Sequence, residues 1–253
     1  MATFKKLLQK VFNINRDSKS HDFFNKEGYN ISIYQKYYKI LEQIHDFYKP
    51  KFYLEIGVRD GDSLRLCKND CLAVGVDSGS LPSNIDKPNI KIFQQTSDNF
   101  FNFHDVSNEF GKIDIGFIDG MHLFEFFLRD FINIEKHSKK DSIIIVHDTN
   151  PIDEITSNRE RKTSFWTGDV YKIPMILKEY RPDLKIINLD IALTGLCFVT
   201  NLDNKSTVLS SNYDKIIKNF VNINYSDIAN DKVEKLNIKK IGKDFDASKL
   251  FID

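Results

Sequence analysis

Short apolar runs alternate with amphipathic segments through the middle of the chain. Five runs have the length and the β-branched or aromatic content of buried strands: Phe52–Ile56, Cys71–Val76, Ile90–Phe93, Ile113–Ile118 and Ser142–Val146. Segments with apolar residues at helical spacing lie between them: Ser63–Lys68, Ser97–Phe110 and Phe124–His137. Buried strands that alternate with helices predict an α/β fold, in which helices cover both faces of a mostly parallel sheet.

The flanks of this central region carry weaker patterns. Four further elements are predicted, namely helices over Tyr29–Tyr48 and Val170–Tyr180 and strands over Lys185–Leu189 and Gly195–Thr200. The tail is rich in lysine, asparagine and aspartate, with an amphipathic piece at Tyr213–Phe220. We therefore expect an N-terminal helical segment (1–48), a sheet domain (49–202) and a C-terminal extension (203–253).

The first residues form a separate pattern. Apolar residues recur at helical spacing over Phe4–Phe12, with three lysines between them, which predicts a short basic amphipathic helix. Such a helix can pack on its own domain or in a homo-oligomer. It can also dock on a partner or make peripheral contact with a membrane surface.

Charge and cysteine usage narrow the class of protein. The 36 basic side chains equal the 36 acidic ones, so the net charge gives no electrostatic reason to expect a nucleic-acid partner. No apolar run approaches the ~18 residues of a transmembrane helix, and no secretory leader is recognisable. Three cysteines are a sparse, odd set, which is typical of a reduced, cytoplasmic protein.

The first strand runs into a glycine-containing loop. Gly57 and Gly61 are spaced by four, so the loop lacks the G-x-G-x-x-G pattern of a dinucleotide site. Glu55 precedes the loop, where a carboxylate suits a cationic ligand. Asp77 ends the second strand about 20 residues on, where a carboxylate can accept both ribose hydroxyls. An ordinary strand–turn–helix connection with incidental acids is the structural alternative.

Several segments together resemble one family. "YLEIGVRDGDSL" and "AVGVDSG" look like motifs I and II of class I S-adenosylmethionine (SAM)-dependent methyltransferases. "TSDNFF", "IDIGFIDGMHLFEFFLRDF", "SIIIVHDTNP" and "WTGDVYK" are similar to the methyltransferase-24 type, small O-methyltransferases associated with sugar, polysaccharide and antibiotic tailoring. The resemblance covers about residues 50–200. It implies a Rossmann-like, mostly parallel seven-stranded sheet and SAM as the methyl donor.

The resemblance also implies a donor site. Asp77 would hold the ribose, and Ser97 and Asp98 would lie beside the adenine. The implied cofactor-binding set comprises Glu55, Gly57, Val58, Gly61, Asp62, Ser63, Asp77, Ser78, Ser97, Asp98 and Asp119.

Acids and imidazoles follow the fourth and fifth strands. Asp119 and His122 come after one, and His147 and Asp148 after the other, so the two strand ends should bring them together. Oxygen-rich ligation favours Mg²⁺ or Mn²⁺. The family comparison supports Asp119 and Asp148 as metal ligands, with His147 as a less certain third ligand. His122 is placed to act as the base for the departing proton. Singly, His122 and Asp148 are equally explained as a helix cap and a turn residue.

The leading hypothesis is a metal-dependent O-methyltransferase that acts on a hydroxyl of a sugar or surface-glycan precursor. A metal-independent methyltransferase, a non-catalytic nucleotide-binding protein and a nicotinamide-dependent oxidoreductase are the alternatives. A last cluster of Trp166, Gly168, Asp169 and Lys172 fits either a sugar platform or a core anchor. The long charged loop before it, Asn150–Ser164, is a candidate acceptor lid.

Overall fold

The structure is a computed structural model that describes residues 31–79, 81–82, 85, 87–163, 165–191, 193–241 and 245–250. The amphipathic helix predicted over Phe4–Phe12 therefore lies outside the described residues. Among the helices that are described, none has the length and apolar content needed to span a membrane.

One sheet forms the centre of the molecule. Its strands are β1 (Phe52–Ile56), β2 (Leu72–Asp77), β3 (Ile90–Gln94), β4 (Ile113–Ile118), β5 (Ser138–His147), β6 (Lys185–Asp190), β7 (Leu196–Thr200) and β8 (Ile238–Lys240). They lie in the order β3-β2-β1-β4-β5-β7-β6-β8. Strands β1 to β5 pair in parallel, β7 is antiparallel to both of its neighbours, and β8 is parallel to β6. The eighth strand exceeds the predicted seven because three residues of a polar tail carry too short a pattern to be recognised.

Helices cover both faces of this sheet. They are α1 (Ile31–Tyr48), α2 (Ser97–Phe103), α3 (Val106–Glu109), α4 (Phe124–His137), α5 (Lys172–Tyr180), α6 (Val208–Ser211), α7 (Tyr213–Phe220) and α8 (Lys232–Lys235). Alternate residues of β1 point to opposite faces. Leu54 belongs to the core beneath α4, α5 and α7, whereas Tyr53 belongs to the core beneath α1. The parallel, doubly covered sheet predicted from the sequence is confirmed.

Two predicted helices take a different form. The segment Ser63–Lys68 contains only a short 3-10 turn at Leu64–Leu66. The segment Ser97–Phe110 divides into α2 and α3, because Thr96 and Asp105 each accept a backbone N–H and so begin a separate helix.

The cysteines also differ from the prediction. Cys67 and Cys71 form a disulfide, where reduced thiols were expected.

The C-terminal extension packs against the sheet domain. Ile216 and Phe220 of α7 are buried in the core beneath β1, and β8 lies along the edge of β6. The boundaries at residues 48 and 202 remain a proposal about how the chain is organised.

Candidate active site

The order of the strands places the site. From β1 the chain passes first to β2 and β3 on one side, and then to β4 and β5 on the other. In open parallel sheets such a change of direction leaves a crevice at the carboxyl ends of the central strands. Every predicted site residue follows the end of β1, β2, β3, β4 or β5, except Glu55, Asp77 and His147, which lie within the last residues of their strands.

The glycine loop is held tightly against the end of β4. Gly57 has φ of +89°, and a Cβ placed there would lie 2.1 Å from the carbonyl oxygen of Asp119. The Asp119 amide donates to the Ile56 carbonyl at 2.8 Å, which fixes the two chain segments side by side. Only glycine satisfies both the positive φ and the close approach. Gly57 therefore sets the distance between the loop and the acidic cluster.

Glu55 lies fully buried behind the loop. Its carboxylate accepts hydrogen bonds from Ser63 Oγ at 2.7 Å and from Tyr53 Oη at 2.8 Å. Burial raises the pKa of Glu55 to about 8, although both hydroxyls favour the ionised form. Glu55 thus organises the loop from within, and Ser63 is directed inward to it.

Asp77, at the end of β2, binds the backbone of the glycine loop through its carboxylate. One carboxylate oxygen accepts the N–H groups of Val58 at 2.8 Å and Arg59 at 2.9 Å, and the other accepts the Gly79 N–H at 2.7 Å. Asp77 therefore shapes the loop, in addition to its predicted contact with ribose. Ser78 and Asp62 are exposed beside it.

Ser97 and Asp98 begin α2 after the end of β3. The Asp98 carboxylate forms two hydrogen bonds with Arg129 of α4, at 2.9 and 2.7 Å. Arg129 also donates to Tyr213 Oη at 2.9 Å, which ties α2, α4 and α7 together. Asp98 therefore has a structural partner in the described structure.

Three potential metal-ligating side chains converge at the ends of β4 and β5. Donor atoms of Asp119, His122 and Asp148 all lie within 4.8 Å of one another. His122 Nδ1 lies 3.0 Å from an Asp148 oxygen, and His122 Nε2 lies 4.0 Å from an Asp119 oxygen. Within the described residues, His122 Nδ1 is buried, and its 3.0 Å contact with Asp148 is an ion pair that lacks hydrogen-bonding geometry.

His147 lies beside the same cluster with a different set of contacts. Its Nδ1 donates to Asp119 Oδ1 at 3.0 Å and lies 3.4 Å from Asp148 Oδ1. Its Nε2 lies 3.4 Å from Thr194 Oγ1. Both ring nitrogens are thus engaged by protein groups.

The charges around this cluster shift the pKa values of His122, His147 and Asp148. Burial lowers the pKa of His147, but Asp119 and Asp148 outweigh it and raise that pKa to about 9. The same balance between burial and Asp148 raises the pKa of His122. Burial would raise the pKa of Asp148, yet the two histidines hold it below its usual range. Asp148 also has φ of +61°, an uncommon conformation for a side chain with a Cβ.

Aromatic rings flank both histidines. Tyr37 of α1 stacks on His147, with ring centroids 4.7 Å apart and planes 22° apart. Trp166 stacks on His122, with centroids 5.4 Å apart and planes 12° apart. Sequence reasoning missed Tyr37 and Thr194, since neither lies in a motif. The helical spacing of Tyr37 shows that it faces the sheet, but not which side chain it meets.

Asp169 and Lys172, predicted as part of a sugar platform or core anchor, are buried. Asp169 accepts the Phe124 N–H at 2.9 Å at the start of α4, and Lys172 Nζ donates to Asp169 at 2.8 Å. Arg159, from the loop predicted as a lid, donates to Asp169 at 2.6 Å and forms an ion pair with Glu125. These contacts favour the core-anchor interpretation for Asp169 and Lys172.

Comparison with known proteins agrees with this architecture. Residues 54–149 match a family model described as a methyltransferase domain. An O-methyltransferase from Bacillus cereus, solved in complex with SAH, is similar with a TM-score of 0.50 at 15% identity, over 79% of this chain and 90% of that one. TomG from Streptomyces achromogenes, an O-methyltransferase involved in tomaymycin synthesis and solved with SAM, gives 0.51 at 14% identity, over 79% and 96%. No curated protein matches the sequence significantly.

The family match covers the glycine loop, Asp77 and the whole acidic cluster, and the solved structures share the fold. Residues 54–149 therefore resemble a methyltransferase domain, and the chain has the fold of the solved O-methyltransferases.

Proposed function

We propose that this protein is a SAM-dependent O-methyltransferase that transfers the methyl group of SAM to a hydroxyl of a sugar or surface-glycan precursor, with the help of Mg²⁺ or Mn²⁺. The observation that carries the proposal is the convergence of Asp119, His122 and Asp148 at the carboxyl ends of β4 and β5. We place the reaction in the cytoplasm, with a small-molecule or saccharide acceptor.

The donor set fits a divalent cation. Two carboxylates and one imidazole are ligands that Mg²⁺ or Mn²⁺ accepts. Among the described residues, His122 Nδ1 is buried in an ion pair with Asp148 but makes no well-formed hydrogen bond, and a bound ion would satisfy it. When bound, the ion would lower the pKa of the acceptor hydroxyl and fix its position.

The geometry favours His122 over His147 as the third donor. Both nitrogens of His147 already have protein partners, and its N–H orients the carboxylate of Asp119. A hydrogen bond of that kind to a ligating carboxylate is common behind metal ligands. We therefore assign Asp119, His122 and Asp148 to the ion and His147 to the positioning of Asp119. The base role predicted for His122 is the competing assignment.

SAM would occupy the crevice between the glycine loop and the end of β3. The loop from Gly57 to Ser63 is shaped from two sides, by Glu55 and by Asp77. Both acids are near the place where the cationic methionine end and the ribose would lie. Ser97 and Asp98 are proposed for the adenine side.

The test combines metal binding with methyl incorporation. Mn²⁺ should bind the wild-type protein in calorimetry, and Asp119→Asn and Asp148→Asn should each weaken that binding by about 10-fold or more, because each removes a charged ligand. Labelled SAM with nucleotide-sugars and glycan fragments should give methyl incorporation that EDTA abolishes and Mg²⁺ or Mn²⁺ restores. Full incorporation in chelator would favour the metal-independent mechanism.

His122→Ala separates the two roles of this histidine. As a metal ligand, its loss should weaken Mn²⁺ binding while SAM affinity stays within about threefold. If Mn²⁺ affinity is unchanged and turnover falls by about 10²- to 10⁴-fold, His122 is the base instead. His104→Ala, an exchange of a histidine in the α2–α3 connection, is the matched control.

A further inference from the structure

Trp166 is the one tryptophan of the chain and lies beyond the residues that match the methyltransferase family model. It packs face to face on His122, with ring centroids 5.4 Å apart and planes 12° apart. The imidazole also meets the edge of Phe127, at 6.4 Å and 82°. Two aromatic rings at right angles thus limit the rotation of the His122 ring.

The indole is itself fixed. Its Nε1 donates to the Asn158 carbonyl at 2.6 Å, so Trp166 cannot turn away without losing a hydrogen bond. The guanidinium of Arg161 lies 5.9 Å from the ring centroid of Trp166. Both contacts come from the loop that precedes Trp166.

The turn after Trp166 is pressed against His122. Gly168 has φ of +57°, and a Cβ at that position would lie 1.6 Å from the His122 carbonyl oxygen. Asp169 then accepts the amide of Phe124, two residues after His122. Arg159 and Lys172 hold Asp169 in turn, at 2.6 and 2.8 Å. Residues between Asn158 and Lys172 therefore contact the His122 ring, the His122 backbone carbonyl and the first turn of α4.

We propose that Trp166 is a positioning residue, whose indole face holds the imidazole of His122 in the orientation that completes the metal-binding group with Asp119 and Asp148. This inference rests on the proposed metal-dependent function. On this proposal, the loop and turn around Trp166, which lie outside the matched residues 54–149, orient one metal ligand. Engagement of Trp166 with His122 and Arg161 also argues against its use as a free stacking platform for a sugar.

The test uses the full chain and Mn²⁺ alone, so it requires no knowledge of the acceptor. Trp166→Leu removes the flat face, and Trp166→Phe retains an aromatic ring. We expect Trp166→Leu to weaken Mn²⁺ binding by about 10- to 100-fold, the range typical of groups that orient a ligand, and Trp166→Phe to remain within about threefold. Because phenylalanine is also closer than leucine to tryptophan in volume, the melting temperatures of both variants are measured beside their Mn²⁺ affinities: a role that depends on volume alone should change both quantities together, whereas a positioning role should lower Mn²⁺ affinity beyond what the loss of stability explains.

A matched control addresses general loosening of the core. Phe220→Leu removes a buried ring from α7, outside the site, and should lower the melting temperature without changing Mn²⁺ affinity. Mn²⁺ should also alter the fluorescence of the single tryptophan in the wild type, with the midpoint that Mn²⁺ calorimetry gives, and should not do so in His122→Ala. Wild-type protein that binds no Mn²⁺ would overturn the proposed metal dependence and this role with it. Equal binding by the wild type and Trp166→Leu would overturn the positioning role alone.

Discussion

Asp77 shapes the glycine loop and is also the carboxylate proposed to bind the ribose of SAM. It accepts three backbone N–H groups that shape the loop, and its position at the end of β2 suits the ribose. Asp77→Ala should therefore weaken SAM binding by at least about tenfold, since hydrogen bonds to a charged group contribute about 1.5–3 kcal/mol each. Calorimetry with SAM measures this effect.

Asp70 provides a control for that prediction. It is an exposed carboxylate just before β2, at the opposite end of the strand. Asp70→Ala should leave SAM affinity unchanged. Equal affinities for the wild type, Asp70→Ala and Asp77→Ala would refute the assignment of Asp77 to the donor site.

The buried carboxyl of Glu55 should make stability depend on pH. Its folded pKa of about 8 exceeds the ordinary value of 4.5, so between these pH values the folded state binds about one more proton than the unfolded state. Stability should therefore fall as pH rises through this window, by up to about 1.4 kcal/mol per pH unit.

Glu55→Gln, which cannot ionise, isolates that contribution. Urea unfolding of the SAM-free protein at several pH values between 5.5 and 7.5 should show a smaller loss of stability with pH in Glu55→Gln than in the wild type. The exposed Glu42→Gln should follow the wild type. Parallel curves for all three proteins would show that Glu55 is ionised in the folded state at these pH values.

At the scale of elements, the contact between the loop after β1 and the loop after β4 fixes the geometry of the site. Gly57→Ala should destabilise the protein by about 3 kcal/mol or more, because the added Cβ meets the Asp119 backbone as well as a strained φ. Its SAM affinity should fall too, since the loop must move.

Gly111→Ala is a matched control for backbone strain. Gly111 has φ of +94°, close to the +89° of Gly57, but no atom lies within 4 Å of an added Cβ. Gly111→Ala should therefore cost about 1 kcal/mol and leave SAM affinity intact. Urea unfolding compares the two variants, and equal losses would show that the contact with Asp119 is relieved without cost.

At the scale of the whole molecule, the C-terminal extension contributes to the fold. Ile216 and Phe220 are buried in the main core, and the Val221 carbonyl accepts from the buried Lys172 at 3.2 Å. A chain that ends at residue 202 should lose at least about 3 kcal/mol of stability, since each of these two buried apolar side chains contributes about 1.5–3 kcal/mol.

Denaturant unfolding of that shortened chain, compared with one that ends at Leu250, tests the prediction. The longer chain retains α7 and β8 and should unfold cooperatively near the wild-type midpoint. If the chain ending at residue 202 is equally stable, the extension is an independent appendage.

The sequence by itself determined the central strands, the glycine loop and the identity of the acids and imidazoles at the strand ends. These features depend on short-range patterns, because apolar run length and the residues that follow a strand are local properties. It also predicted that Asp119, His122, His147 and Asp148 would meet, because the carboxyl ends of parallel strands share one edge of the sheet.

Only the tertiary structure decided how these groups are paired. His147 became the partner of Asp119, while the buried Nδ1 of His122 was placed 3.0 Å from Asp148. Tyr37 and Trp166 reached the two imidazoles from segments far away in the chain, and Asp169 was buried at the start of α4. The physical reason is that such contacts are set by the packing of distant elements against each other. A pattern within one segment records which face is buried, but not what that face meets.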